Sequence, residues 1–326
     1  MNPSMHRRAI LALAALSALG ARAQAFPSKP LTLVVPYPAG GPADVTARQM
    51  LPSLRKSLGQ PVIVDNTAGV SGALGIQKVL NAPADGHQFL MGTPSDVILA
   101  PLALAAVKHK PEQMRLLGLA SRAPLVLVSG MQLPAHKLED LLAEARKPGA
   151  REYSYGSIGP GSLYHLVGED FAARMKLRML HVPYKGMAPL LQDVIGGLVD
   201  VAFLPSAGNL ADLISTGKLR AYAVTDGQRL ARLPEVPTMA QAIGLKEFEY
   251  EIWGGLFVPR TVPADLAQRL SAAVKEAQQD PEFRKQIEGS GAAPGNPMSL
   301  ADAERFFTDQ TARYRLLAQA VKLEPQ

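Results

Sequence analysis

The sequence contains no cysteine. Disulfides, zinc–thiolate centres, cysteine nucleophiles and a lipid anchor on a cysteine are therefore excluded. Aromatic residues make up 6% of the chain, with a single tryptophan, too few for a platform that stacks nucleic-acid bases. The six histidines include no pair spaced i, i+4, so no zinc-ligand pattern is present. Beyond the first 25 residues no stretch is long and apolar enough to cross a bilayer. A strong charge of one sign is missing too. The formal net charge is +6, three arginines fall within the first 25 residues, and +6 − 3 leaves +3 without any dense Lys/Arg block. Nucleic acid and membrane surfaces lose their main support as partners.

What is present is a chain of 326 residues, 47% hydrophobic and 19% charged, enough for two domains with a sizeable core. Residues 1–25 read as a secretory signal peptide. Arg7 and Arg8 precede the apolar stretch Ala9–Leu19, and small residues around Ala23 and Ala25 mark cleavage. The expectation is a soluble exported protein, periplasmic in a cell with an outer membrane.

After residue 25, short β-like runs alternate with helical patterns. Strands are expected at 31–35, 62–64, 89–91, 125–128, 152–155, 179–182, 199–204 and 219–224. Helices are expected at 44–58, 72–80, 137–147, 162–175, 187–195 and 210–215. This alternation predicts a largely parallel α/β sheet. A strand at 253–258 and helices at 264–279, 281–289 and 298–321 follow. In the last helix Ala301, Phe306, Phe307, Tyr314, Leu317 and Ala320 are expected to share one apolar face.

Two strand–loop–helix units have similar loops: "VVPYPAGGPADVTAR" (34–48) and "YSYGSIGPGSLYHL" (153–166). Glycine lets backbone amides approach a guest, and the following helix start adds unpaired N–H groups and partial positive charge. The guest such loops suit is an anion, gripped between two lobes; tight connections without a ligand are the alternative. In the first loop Asp44 is placed to orient the amides. Catalysis finds little support. Gly69-Val70-Ser71-Gly72-Ala73 misses the nucleophile-elbow pattern at its last position. Ser162 and His165 share a helix face, with Asp200 as a remote third member, but Ser162 also reads as a helix N-cap. "GSIGPGS" is not a dinucleotide fingerprint. No cofactor is expected.

"KPLTLVVPYPAGGPADVTAR", "ADGHQFLMGTPS", "YGSIGPGSLYHLVGEDF", "HVPYKGMAPLLQDVIGGLVDVAF" and "GKLRAYAVTDGQRLARLPEVPTMAQAIG" together resemble the Bug (Bordetella uptake gene) family, the solute-binding proteins of tripartite tricarboxylate transporters. The resemblance implies a two-lobed, type II periplasmic binding fold of the Venus-flytrap kind, crossed twice by the chain. Lobe 1 would comprise residues 26–124 and 251–326, and lobe 2 residues 125–250. It implies a monomer without enzymatic activity that holds a small carboxylate and hands it to integral membrane transporter subunits. The carried-over binding residues are Tyr37, Ala39, Gly40, Gly41, Asp44, Thr93, Ser157, Gly161, Ser162 and His165, with Lys185 and Asp200 near strand ends. Thr67 stands where the family often has arginine, and Asp96 adds a carboxylate near the expected pocket. A sensor docking on a signalling receptor, and a secreted hydrolase using Ser162 and His165, are the alternative functions.

Overall fold

The structure is a computed structural model that describes residues 26–321. The signal peptide read over residues 1–25 lies outside the described residues, as do 322–326.

The elements run β1 Leu31–Val35, α1 Pro42–Leu58, β2 Val62–Asn66, α2 Ala73–Leu80, β3 Gln88–Gly92, α3 Ala100–Ala103, β4 Met114–Gly130, α4 Leu138–Ala145, β5 Tyr153–Ser157, α5 Leu163–Met175, β6 Met179–Pro183, α6 Met187–Gly196, β7 Val201–Pro205, α7 Leu210–Ser215, β8 Leu219–Val224, α8 Met239–Ile243, β9 Glu251–Pro259, α9 Ala264–Gln279, α10 Pro281–Gly289, β10 Ala293–Pro294 and α11 Leu300–Ala320. A π-helical turn spans Ser95–Leu99, just before α3.

The strands lie in the order β2-β1-β3-β9-β4-β7-β5-β6. The sheet is mixed, which corrects the expectation of a largely parallel one. β1 pairs in parallel with β2 and β3, and β5 with β6 and β7. β4 and β9 run antiparallel to their neighbours and join these two parallel groups. β4 is 17 residues long and serves both lobes of the two-lobed fold. Up to Pro124 it pairs with β9, and from Leu125 it pairs with β7. Proline has no N–H to donate, which suits the point where one ladder ends.

Each lobe has its own apolar core. In α1, Ala47, Met50, Leu51, Leu54 and Leu58 recur at helical spacing and are buried. They pack with β1, β9 and α9 through Leu33, Leu256 and Leu270. Burial of each large side chain contributes about 1.5–3 kcal/mol. In the second lobe Val126, Val128, Leu190, Val194, Leu204 and Val224 form the counterpart. A third cluster joins the lobes, bringing Val97, Ile98 and Leu99 together with Leu163, Leu166 and Phe171. The buried face of α11 is Ala303, Phe307, Thr311, Tyr314 and Ala318. Ala301 and Ala320 are exposed, so the face is rotated from the expected one.

Candidate functional site

Both Gly/Pro loops leave the carboxyl ends of parallel strands. The first follows β1 and enters α1 at the cap residue Gly41, with Pro42 in the first helical turn. Asp44 closes this loop and is 2% exposed. Its carboxylate accepts from the Gly40 amide at 2.8 Å, Arg48 Nε at 2.9 Å and Asn66 Nδ2 at 2.9 Å. Asn66 Nδ2 also donates to the Tyr37 carbonyl at 3.1 Å, tying the loop to β2. Burial alone pushes the Asp44 carboxyl up, but the bonds from Arg48, Gly40 and Asn66 outweigh it and hold the group below the usual carboxylate range. Gly40 adopts φ +79°, in the left-handed region that glycine tolerates.

The amides expected to face a guest are partly engaged inside the loop. Gly40 donates to Asp44, and Gly41 donates to the Pro38 carbonyl at 3.3 Å. Among the described residues, the Ala39, Ala43 and Asp44 amides have no protein acceptor. They flank the start of α1, where the helix places partial positive charge.

Tyr37 reaches from this loop to the end of β3. Its hydroxyl donates to Asp96 Oδ2 at 2.8 Å and lies 3.0 Å from the Thr93 hydroxyl. Thr93 donates its hydroxyl to Asp96 at 2.7 Å and its amide at 3.0 and 3.1 Å. Asp96 is fully buried in the π-helical turn. Burial raises its carboxyl to about 7 despite these bonds. Tyr37 is raised well above the ordinary tyrosine range, by burial first and then by the adjacent Asp96 charge.

The second loop follows β5 and is tied by its own side chains. Ser157, fully buried, accepts from the Gly159 amide at 3.0 Å and lies 2.7 Å from His181 Nε2. Ser162 is the N-cap of α5: its hydroxyl accepts from the His165 amide and donates to the Gly159 carbonyl at 2.8 Å. His165 Nδ1 accepts from the Gly161 amide at 3.3 Å. That bond places the proton on Nε2, and the Ser162 hydroxyl donates to Gly159 instead of to Nδ1. The His165 ring stacks on His181, with centroids 4.1 Å apart. Burial lowers both histidines, and His181 falls to about 4, burial acting first and His165 second.

The two lobes meet at these loops. The Leu163 amide, first in α5, donates to Ser95 Oγ at 3.0 Å. Ser71 Oγ donates to the Pro160 carbonyl at 3.2 Å. Gly161, at φ +74°, packs so close to Ala103 that a Cβ would lie 2.7 Å from the alanine methyl. Tyr164 of α5 lies near enough to Tyr37 to act on its charge. Lys185, exposed and without an ion-pair partner among the described residues, follows Tyr184, whose amide donates to the Ser157 carbonyl at 2.9 Å.

Asp200, carried over as a binding residue, lies away from the loops. Asp200 sits before β7, at the opposite end of the parallel pair from the loop after β5. There it accepts from Arg151 at 2.8 and 2.5 Å and from the Ser154 amide at 2.7 Å, a tie between strand starts. Thr67 donates its hydroxyl to Asp65 at 2.8 Å, and Asp65 pairs with Lys78. Ser71, Ser95 and His181 also bond the second loop or the helix start after it, and Tyr164 lies in that helix start; the sequence offers no binding signal at Ser71, Tyr164 or His181. For Ser95 the only signal was its place next to the Gly92-Thr93 turn.

The sequence profile of tripartite tricarboxylate transporter family receptors matches residues 46–323. A UPF0065 protein from the tcbD–tcbE intergenic region of Pseudomonas sp. (strain P51) is 35% identical over 316 residues, covering 96% of this chain and 92% of that protein. BugT of Bordetella pertussis is 31% identical over 298 residues, covering 90% and 89%. Among solved structures, R. palustris Rpa4515 with adipate superposes with a TM-score of 0.84 at 30% identity, covering 92% of this chain and all of that one. MatC (Rpa3494) from Rhodopseudomonas palustris with bound malate gives 0.82 at 27% identity, covering 90% and 99%.

Proposed function

The chain belongs to the tripartite tricarboxylate transporter receptor family, and from that premise we propose that it is a periplasmic solute receptor that captures a small carboxylate between its lobes. The observation that carries this reading is the convergence of both units on the Ser95–Leu99 turn, the start of α5 bonding Ser95 and Tyr37 of the first loop bonding Asp96, with unpaired amides at the start of α1. The carboxylates held by the adipate-bound and malate-bound relatives favour the same ligand class.

The site residues divide into two roles. The Ala39, Ala43 and Asp44 amides, the Tyr37 and Thr93 hydroxyls, the Tyr164 hydroxyl and the Lys185 ammonium are the groups that receive the ligand. The Asp44 carboxylate, Gly40, Gly41, Ser157, Gly161, Ser162 and His165 hold the loops in shape. Charge-assisted hydrogen bonds to a carboxylate are worth about twice neutral ones, so binding needs no covalent step. The lobes divide at Pro124/Leu125 and Tyr250/Glu251, where β4 exchanges β9 for β7. Closure about those crossings excludes water. The closed monomer then docks on integral membrane subunits that take the ligand onward.

A thermal-shift screen over mono-, di- and tricarboxylates tests this. A binder at a hundredfold excess over its Kd stabilises by about 2.7 kcal/mol. Stabilisation by none of them would refute the carboxylate reading.

A further inference from the structure

Asp96 is fully buried beside the lobe contact, and the capture scheme above gives it no task. Two hydroxyls, those of Tyr37 and Thr93, face its carboxylate at 2.8 and 2.7 Å. Each hydroxyl has one hydrogen, and an ionised Asp96 takes both. The Tyr37 oxygen then offers only lone pairs toward the cleft, with a buried negative charge behind it. A carboxylate arriving there is repelled twice, and in a dry site that repulsion is strong.

Among the described residues no cation offsets the charge. His109 Nε2 donates to the Asp96 backbone carbonyl at 3.0 Å, and burial keeps that imidazole neutral. Tyr164, facing from α5, is held in its phenol form by burial. On α11, Glu304 pairs with Arg115 and Arg260, Arg305 with Asp302, and Arg315 with Glu112. On α2, Lys78 pairs with Asp65.

We propose that Asp96 makes anion capture proton-linked. One proton from solvent moves onto the Asp96 carboxylate, whose new O–H donates to the Thr93 or Tyr37 oxygen, and the Tyr37 hydrogen is released to bond the ligand's carboxylate. Asp96 is thus a positioning residue that decides whether Tyr37 accepts or donates. The proposal rests on the carboxylate reading of the cleft. The buried position that pushes Asp96 up to about 7 brings the step within the ordinary pH range, and a bound anion favours the protonated form further.

The test is calorimetric titration with adipate and with malate, whose own carboxyls are ionised above about pH 6. Wild-type affinity is expected to weaken about thirtyfold between about pH 6 and about pH 8.5, as one linked proton requires. Buffers of differing ionisation enthalpy should report about one proton taken up per ligand near the upper pH. Asp96→Asn, a neutral isostere, should bind at both pH values as the wild type does at the lower one. A wild-type affinity that is flat with pH, or a variant that keeps the slope, overturns the proposal and leaves carboxylate capture standing. If the variant does not fold, the wild-type slope and proton count decide. If neither probe binds, the carboxylate reading is what fails. Carboxyl ¹³C NMR of the ligand-free protein then decides on Asp96: a titration midpoint near pH 7 supports the proposal, and one below about pH 5 overturns it.

Discussion

At the scale of single residues, the site contrasts two buried carboxylates a few ångströms from the same loop. Asp44 accepts from an arginine, an amide and an asparagine, and is held ionised. Asp96 accepts from hydroxyls and backbone amides with no cation among its partners, and burial prevails. A group raised in the folded state binds a proton there that it has lost in the unfolded chain. Its contribution is therefore complete below the unfolded value and disappears as pH rises through the folded one. Asp96→Asn should match the wild type near about pH 4 and exceed it in stability by on the order of 4 kcal/mol above about pH 7. Chemical denaturation across that range reads the widening gap. His181 has the opposite sign. Its value is depressed to about 4, so the folded state lacks a proton that the unfolded state holds, and stability falls as pH drops from about 6.5 to about 4. His181→Gln should remove about 1–2 kcal/mol of that acid loss, allowing for the partial exposure of the ring. The same denaturation series measures it.

At the scale of elements, the second loop and the helix start after it are held across the lobe contact by Ser71, Ser95 and Ala103. Gly161 is left-handed and packs against Ala103 with no room for a Cβ. Gly161→Ala adds a methyl where α3 already stands and a left-handed cost of about 1 kcal/mol. It should weaken carboxylate affinity at least tenfold while leaving the far-ultraviolet circular dichroism unchanged; an unchanged Kd would show that the lobes do not close on this contact. Much of this layer was legible in the sequence. The loops at 36–42 and 158–162, the cap at Ser162 and the loop-orienting carboxylate of Asp44 all follow from local turn and capping chemistry. The rest needed tertiary contacts. The sequence pattern predicts β4 only over 125–128 because Gly118, Arg122 and Pro124 interrupt any simple period, and its register shifts near Leu116 and Leu119. The antiparallel joining strands and the pairing of Asp200 with Arg151 depend on residues far apart in sequence, where periodicity carries no information.

At the scale of the whole molecule, β4 and β9 connect the lobes, and Thr225 ties the two chain segments to each other where they enter the second lobe. Thr225, 2% exposed, accepts from the Leu125 amide at 2.9 Å through its hydroxyl oxygen and donates that hydroxyl to the Tyr250 carbonyl at 2.5 Å. Its backbone bonds Leu125 and Tyr250 as well, at 2.8 and 3.0 Å. Thr225→Val keeps the shape but leaves the Leu125 amide and the Tyr250 carbonyl only their long 3.4 Å bond to each other, at a cost of about 1–2 kcal/mol, which thermal unfolding would register. The central claim is that the space between the lobes receives a carboxylate through Tyr37. Calorimetric titration of adipate and malate into wild-type protein and Tyr37→Phe at about pH 6 tests it most directly. The account predicts saturable one-to-one binding of a carboxylate by the wild type and about tenfold weaker binding by the variant, since one charge-assisted hydrogen bond is lost. Equal affinity in the two proteins, or no binding to either, would contradict it.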